Sequence, residues 1–271
     1  MPHSQTSLLS PTEQRDLYGI PVLNEIERQE YFTLNTAEMN MLNRFVNIKE
    51  AVYFVVTLVF FKLKHTIISF QYQDVTAERQ HVMKRYFPDQ ISPKSMPNKS
   101  TKYYIDLKII ELCHYKRFNK SVINIVKQDL QAFAPYAPRQ RQLLKKLLQI
   151  LTKHHITTPG HTTLQNIVSQ AWNQEQKRVL LMYTRQTTSK QRKIILALLN
   201  KTEETAAILM MKGDLKNYNT HDLWKELEKY GYLKVIFDIA KNVLQRLNLP
   251  MTTYEYYASL IHYYDRPQMK R

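Results

Sequence analysis

Glycine is scarce: only 4 of the 271 residues, against about 7% in an average protein. Phosphate-cradling loops, dinucleotide-binding turns and glycine-rich barrels all need positions with φ > 0, and so few glycines argue against each of them. Cysteine is scarcer still. A single residue, Cys113, excludes an internal disulfide framework or a multi-cysteine zinc site and suits a reducing compartment. No long hydrophobic run is present. The longest, residues 51–61, contains Thr57 and is closed by Glu50 and Lys62, well short of the roughly 20 residues that span a bilayer. The opening Met-Pro-His-Ser-Gln has neither a basic n-region nor an apolar h-region, so no secretion signal is expected. Acidic residues are outnumbered, 23 against 39 Lys and Arg, for a net charge of +16.

What is present is a core-forming chain, 44% hydrophobic, long enough for one large or two modest domains. Its charge is uneven. Residues 1–60 are net −3 and residues 61–100 net +4, while residues 101–160 carry 11 basic and 3 acidic side chains. Lys116, Arg117, Lys120, Lys127, Arg139, Arg141, Lys145, Lys146 and Lys153 fall within this middle segment. A polyanion is the partner such a density suits, because each neutralised phosphate releases condensed counterions. The plainer alternative is a solvated basic surface.

Helix signals dominate the chain. Ser10-Pro11-Thr12-Glu13 and Asn35-Thr36-Ala37-Glu38 have the capping-box spacing; Gly19 and Pro21 end the first of these helices. Residues 50–63 read as a nearly all-apolar helix, although their β-branched and aromatic content would also suit a strand. A helix from Asp74 or Thr76 stops at Phe87-Pro88. Residues 92–100, with two prolines and three serines, read as a linker. Helices follow at 101–113, from a Ser121 cap to Phe133, and at 139–153 with Leu143, Leu144, Leu147, Leu148 and Leu151 on one stripe. After Pro159-Gly160 another helix turns Leu164, Ile167, Val168 and Ala171 inward, with Thr162 or Thr163 as cap. Further helices are expected at 189–200, 204–211, 221–229, 232–247 and 253–263. The expected fold is all-α and multi-helical, in segments 8–91, 92–100 (linker), 101–180 and 181–271, the last of dimerisation type.

Catalytic constellations are missing. The nine histidines form no H-x-x-x-H spacing, and the adjacent His154 and His155 would diverge by about 100° on a helix. Only Asp106, Glu111 and Asp129 occur in the basic middle, too few for a two-metal phosphoryl-transfer site. Cys113 beside His114 reads as a buried thiol rather than a dyad. No metal, cofactor, small-molecule substrate or enzymatic activity is expected.

Residues 139–175 have the layout of a helix–turn–helix whose turn, Ile156-Thr157-Thr158-Pro159-Gly160, is longer than the simplest version. The second helix opens with His161, Thr162, Thr163, Gln165 and Asn166. These types hydrogen-bond phosphates and base edges, and the N-terminal turn of such a helix enters the major groove. The threonines could instead serve only as caps. Tyr254, Tyr256, Tyr257, Tyr263 and Tyr264 could stack on bases, but their spacing fits packing between helices at least as well.

Several stretches together resemble the amino-terminal region of the replicative transposases of the Tn-three family. They are Leu9-Ser10-Pro11-Thr12-Glu13-Gln14-Arg15 with Leu17-Tyr18-Gly19-Ile20-Pro21, then Tyr31-Phe32-Thr33-Leu34, Val52-Tyr53-Phe54-Val55 through Phe60-Phe61-Lys62-Leu63-Lys64, and Arg85-Tyr86-Phe87-Pro88. The most specific is Ile156 with Pro159-Gly160-His161-Thr162-Thr163-Leu164-Gln165, similar to a Pro-Gly-Tyr-Thr-Thr-Leu-Gln run of that family. Tyr256-Tyr257-Ala258-Ser259-Leu260-Ile261 with Tyr263-Tyr264 completes it. Val59 stands where the family usually has glycine. The resemblance implies helical, centromere-protein-B-like DNA-binding subdomains that recognise transposon terminal inverted repeats. It also implies that the acidic triad and its metals belong to a domain beyond this region.

The expectation is therefore a sequence-specific double-stranded DNA-binding protein, cytoplasmic and nucleoid-associated, with no membrane partner. Lys99, Lys102, Lys116, Arg117, Lys120, Arg139, Arg141, Lys145, Lys146 and Lys153 would grip phosphates, with Arg44 and Lys49 contributing from the first segment. His161, Thr162, Thr163, Gln165 and Asn166 would supply base contacts. A homodimer or a full-length transposase is a further possible partner. Two other readings stay open: a helical protein–protein module that regulates a transposase, and an inert remnant of a decayed element.

Overall fold

The computed structural model describes residues 8–199, 219–247 and 249–256. Their regular structure is helical, and the only β pairing among them is one isolated parallel bridge, Lys116 with Ile156. The chain is all-α. It forms two compact units: one takes the residues up to Leu130 with Leu144–Val168, the other Gln131–Leu143 with the residues from Ser169 onward.

The first unit begins with three capped helices. In α1 (Pro11–Tyr18) the Ser10 hydroxyl accepts from the Glu13 amide and the Glu13 carboxylate accepts from the Ser10 amide. The same reciprocal pair, Asn24 with Glu27, opens α2 (Glu25–Tyr31), and Asn35 with Glu38 opens α3 (Thr36–Leu42). Each pair satisfies amides that a helix start leaves without partners. Gly19 ends α1 with its N–H on the Arg15 carbonyl at 2.8 Å. A Cβ there would lie 2.5 Å from that carbonyl oxygen, so the close approach excludes any other residue.

α4 (Ile48–Lys64) is the axis of this unit. Every residue from Ala51 to Phe61 is buried, which a helix with a polar face could not tolerate. α5 (Thr76–Tyr86) and α6 (Lys99–Leu112) pack against it, and the aromatic rings interlock: Phe45 on Phe54 at 5.2 Å, and Phe60 edge-on to Phe70 at 5.6 Å. The 92–100 loop joins α5 to α6 inside this one core, because Ile105, Ile109 and Ile110 of α6 are buried in the cluster built on α4. The one buried acid of α3, Glu38, is paired with Lys62 at 2.6 Å.

α7 (Lys120–Phe133) starts two residues earlier than a Ser121 cap would place it. Asn119, not Ser121, is its cap, since the Asn119 side chain accepts from the Ser121 and Val122 amides. A short 3₁₀ turn (Ala134–Tyr136) leads to α8 (Gln140–Lys153), whose Leu143, Leu144, Leu147, Ile150 and Leu151 are buried. In α9 (His161–Gln186), Leu164, Ile167, Val168 and Ala171 are buried as the periodicity indicates. α9 begins at His161, with the Gly160 carbonyl accepting from Thr163 and Leu164. Thr162 and Thr163 therefore lie in its first turn and neither is the cap.

In the second unit, α10 (Ser189–Leu199) packs on α11 (Thr220–Leu247). α11 is one continuous helix where two were expected, at 221–229 and 232–247, because Gly231 lowers helix propensity without breaking the hydrogen-bond ladder. Ile239, Val243 and Leu247 form its core with Val179, Met182 and Tyr183. The helix expected at 204–211 and the part of 253–263 beyond 256 lie outside the described residues. Among the described residues no helix is long and apolar enough to cross a membrane.

Candidate nucleic-acid interface

The most densely determined feature of the first unit is the meeting of three helix ends. α6 and α8 finish alike. A histidine in the left-handed region, His114 at φ 59° or His155 at φ 50°, follows the last turn. The next amide then reaches back, Tyr115 N–H to Ile110 O and Ile156 N–H to Leu151 O. This is the Schellman arrangement, which usually holds glycine. α4 ends with His65, also left-handed at φ 52°. A glycine-poor chain thus meets three left-handed positions with histidine.

Beyond these ends the chains are stitched together. Lys116 N–H donates to His155 O at 2.6 Å, Thr157 N–H to Lys116 O at 2.9 Å, and Thr158 N–H to His65 O at 2.9 Å. The Thr66 hydroxyl donates to Thr158 O, the Phe118 amide to the Thr157 hydroxyl, and the Tyr18 hydroxyl to Pro159 O at 2.7 Å. The 156–160 turn is therefore anchored along its length, and the first turn of α9 projects from a rigid base. Burial pushes the Tyr18 phenol up to about 12, so it remains a donor at neutral pH.

The His65 ring stacks on Tyr115 at 5.1 Å, and Tyr115 meets His155 edge-on. Burial first, and His155 second, hold His65 below its ordinary value. The folded state thus favours neutral His65, and the unfolded chain takes up the proton first as pH falls below about 6.5. Stability is expected to fall below that pH. His65→Asn, which keeps a residue tolerant of the left-handed region, should reduce the loss of urea midpoint between about pH 7.5 and about pH 5.5. His81, lowered by burial as well, keeps the loss from vanishing. Equal pH dependence in the two proteins would rule the His65 contribution out.

A cavity of about 510 Å³ opens beside this base, with Tyr18, Tyr103, Asp106, Arg117, Pro159 and Thr163 among its walls. The exposed Arg117 guanidinium donates to the Tyr103 hydroxyl and lies 4.9 Å from that ring's centre. Asp106 accepts from the Tyr53 hydroxyl at 2.9 Å. Burial raises its carboxyl above the ordinary range, against the opposing pull of that hydrogen bond and of Lys102 and Arg117.

The proposed contact residues are distributed unevenly. Arg44, Lys99, Lys116, Arg117, Lys120, Lys145 and Lys153 are exposed in the first unit. Lys102 is half-buried with its ammonium 5.7 Å from the Tyr53 ring centre, and Lys49 is half-buried with its carbonyl accepting from Tyr72. Lys146 is also half-buried. At the start of α9, Thr162 and Asn166 are exposed one turn apart; Thr163 lines the cavity, Gln165 is half-buried, and His161 meets Gln14 of α1 at 3.4 Å. Arg139 and Arg141 belong to the second unit, where Arg139 donates to the Tyr256 hydroxyl at 3.0 Å and stacks on its ring. Tyr254 donates to the Leu244 carbonyl, a packing role. Tyr257, Tyr263 and Tyr264 lie outside the described residues.

Sequence reasoning missed Tyr103, Asp106 and Tyr18 as partners of this surface, and the pairing of Lys116 with Ile156. Tyr103 carried a signal, an aromatic fourteen residues before an arginine in a basic segment, but no local pattern joins the two. Among the described residues no group of three His, Cys, Asp or Glu could hold a metal ion. Burial pushes the Cys113 thiol up to about 11, away from thiolate chemistry at neutral pH.

Residues 8–171 match the model of a protein family described as "Domain of unknown function (DUF4158)". No curated protein matches the chain.

Proposed function

Because the chain belongs to the DUF4158 family, whose description carries no activity, we propose from its own chemistry that it binds double-stranded DNA sequence-specifically and does not catalyse. One observation carries this reading. The Lys116–Ile156 bridge places the cationic turn at Lys116 and Arg117 beside the anchored turn from which α9 projects. Phosphate-gripping charge and an exposed polar helix start thereby share one rigid surface, as positioning and reading require. The likeness to Tn-three transposases supports transposon terminal inverted repeats as the target and a nucleoid location. A second reading, a regulatory partner of a full-length transposase, is favoured by the exposed Leu227, Tyr230 and Phe237 of α11.

The test is a salt titration of duplex binding by fluorescence anisotropy. About 8 phosphate contacts predict a slope of log K against log salt near −7. A slope shallower than about −2 removes the phosphate-grip reading.

A further inference from the structure

α11 has two apolar faces. Val235, Ile239, Val243 and Leu247 turn into the second unit's core. On the opposite side Leu223, Leu227, Tyr230, Leu233, Phe237 and Leu244 fall within an arc of about 120° at 100° per residue. That outer face is bare: Phe237 is 66% exposed, Tyr230 65% and Leu227 60%. Tyr230 and Phe237 put two exposed aromatic rings on it, and a contiguous exposed apolar face of this kind marks an interaction surface. Gly231 flanks that face, about 40° beyond its edge, in mid-helix, where glycine is disfavoured. Among the described residues an added Cβ there would meet nothing within 4 Å, so their packing does not require it. A small residue facing open space is what a second helix needs in order to approach closely.

We infer that the outer face of α11 is an antiparallel homodimer interface, occupied by α11 of a second copy of this chain. The outer residues Leu223, Leu227, Tyr230, Lys234, Phe237, Lys241 and Leu244 alternate steps of four and three, the spacing of a two-helix seam, with two lysines whose apolar stems can cover it. Pairing them antiparallel about position 232 sets Leu227 against Phe237 of the second copy and Tyr230 against Lys234 of the second copy, a cation–aromatic contact. It sets Gly231 against Leu233 of the second copy, next to the two-fold axis. Charge selects the same direction. Residues 220–230 carry Asp222, Glu226 and Glu228 against Lys225 and Lys229, while residues 231–247 carry Lys234, Lys241 and Arg246 against Asp238. Antiparallel pairing opposes the acidic half to the basic half, and a parallel pair would set like against like.

Analytical ultracentrifugation of the full chain tests this. The expected result is a reversible dimer of twice the 32.3 kDa chain mass, with Phe237→Asp raising its Kd about 30-fold or more. Gly231→Leu fills open space and strengthens the helix, so it should keep the monomer folded while weakening the dimer. For direction, single cysteines are introduced on a Cys113→Ser background and treated with a short bismaleimide. Leu233→Cys should cross-link between copies. Leu223→Cys should not, because the two sites lie about 27 Å apart along the axis. A protein monomeric at every concentration, or a dimer unaffected by both Phe237→Asp and Gly231→Leu, overturns the proposal. Leu223→Cys cross-linking as well as Leu233→Cys overturns the antiparallel geometry.

Discussion

Phe54→Ala is expected to lower the stability of the first unit by about 3–5 kcal/mol. Phe54 is fully buried at the middle of α4 and lies against Phe45. Its removal loses both transfer energy and close packing, and the core cannot collapse around the gap because α4 is covered on all sides. At about 2–4 °C per kcal/mol for a unit of this size, the thermal midpoint should drop by about 10 °C or more. Val46→Ala, a few residues away but fully exposed, should change stability by less than about 0.5 kcal/mol. Urea unfolding of the two variants provides the comparison. A loss below about 1 kcal/mol for Phe54→Ala would mean that α4 is not the axis of this core.

The second large effect separates gripping from reading on DNA. Lys145 and Lys153 are exposed on α8, and Thr162 and Asn166 are exposed on the first turns of α9. Changing both lysines to Ala should weaken specific and random duplex nearly equally and flatten the salt slope by about 2. Changing Asn166 to Ala should weaken the specific site alone, by about 1–3 kcal/mol, since an amide can pair bidentately with adenine in the major groove. Thr162→Ala should follow in the same direction with a smaller effect. All four positions are exposed, so circular dichroism should show unchanged folding. If Asn166→Ala and Thr162→Ala discriminate as the parent does, the start of α9 does not read bases. Recognition would then lie elsewhere on the first unit.

Local chemistry was enough to place most helices. The Ser10–Glu13 and Asn35–Glu38 boxes start helices where their spacing indicates, and the same spacing at Asn24–Glu27 starts α2. Residues 51–61 are apolar at every phase of a helix turn, and only a fully surrounded helix accommodates that. These features follow from interactions within three or four residues, so the sequence alone determines them. The all-α class and the basic middle segment follow in the same way.

Other features depended on contacts made far along the chain. The 92–100 loop reads locally as a break, yet whether its two ends enter one core or two depends on how α6 meets α4. Lys116 and Ile156 are forty residues apart and carry no pairing pattern. Their bridge exists because two helices end in the same left-handed turn at histidine and so release their chains side by side. Arg139 is close in sequence to Lys145 and Lys146, but it belongs to the second unit, where Tyr256 holds it. The amphipathic pattern of α11 likewise shows two apolar faces without saying which is buried. Charge density and helix periodicity are sums over neighbours, which a sequence displays directly. Which charges share a surface depends on long-range packing, and only the tertiary structure decides it.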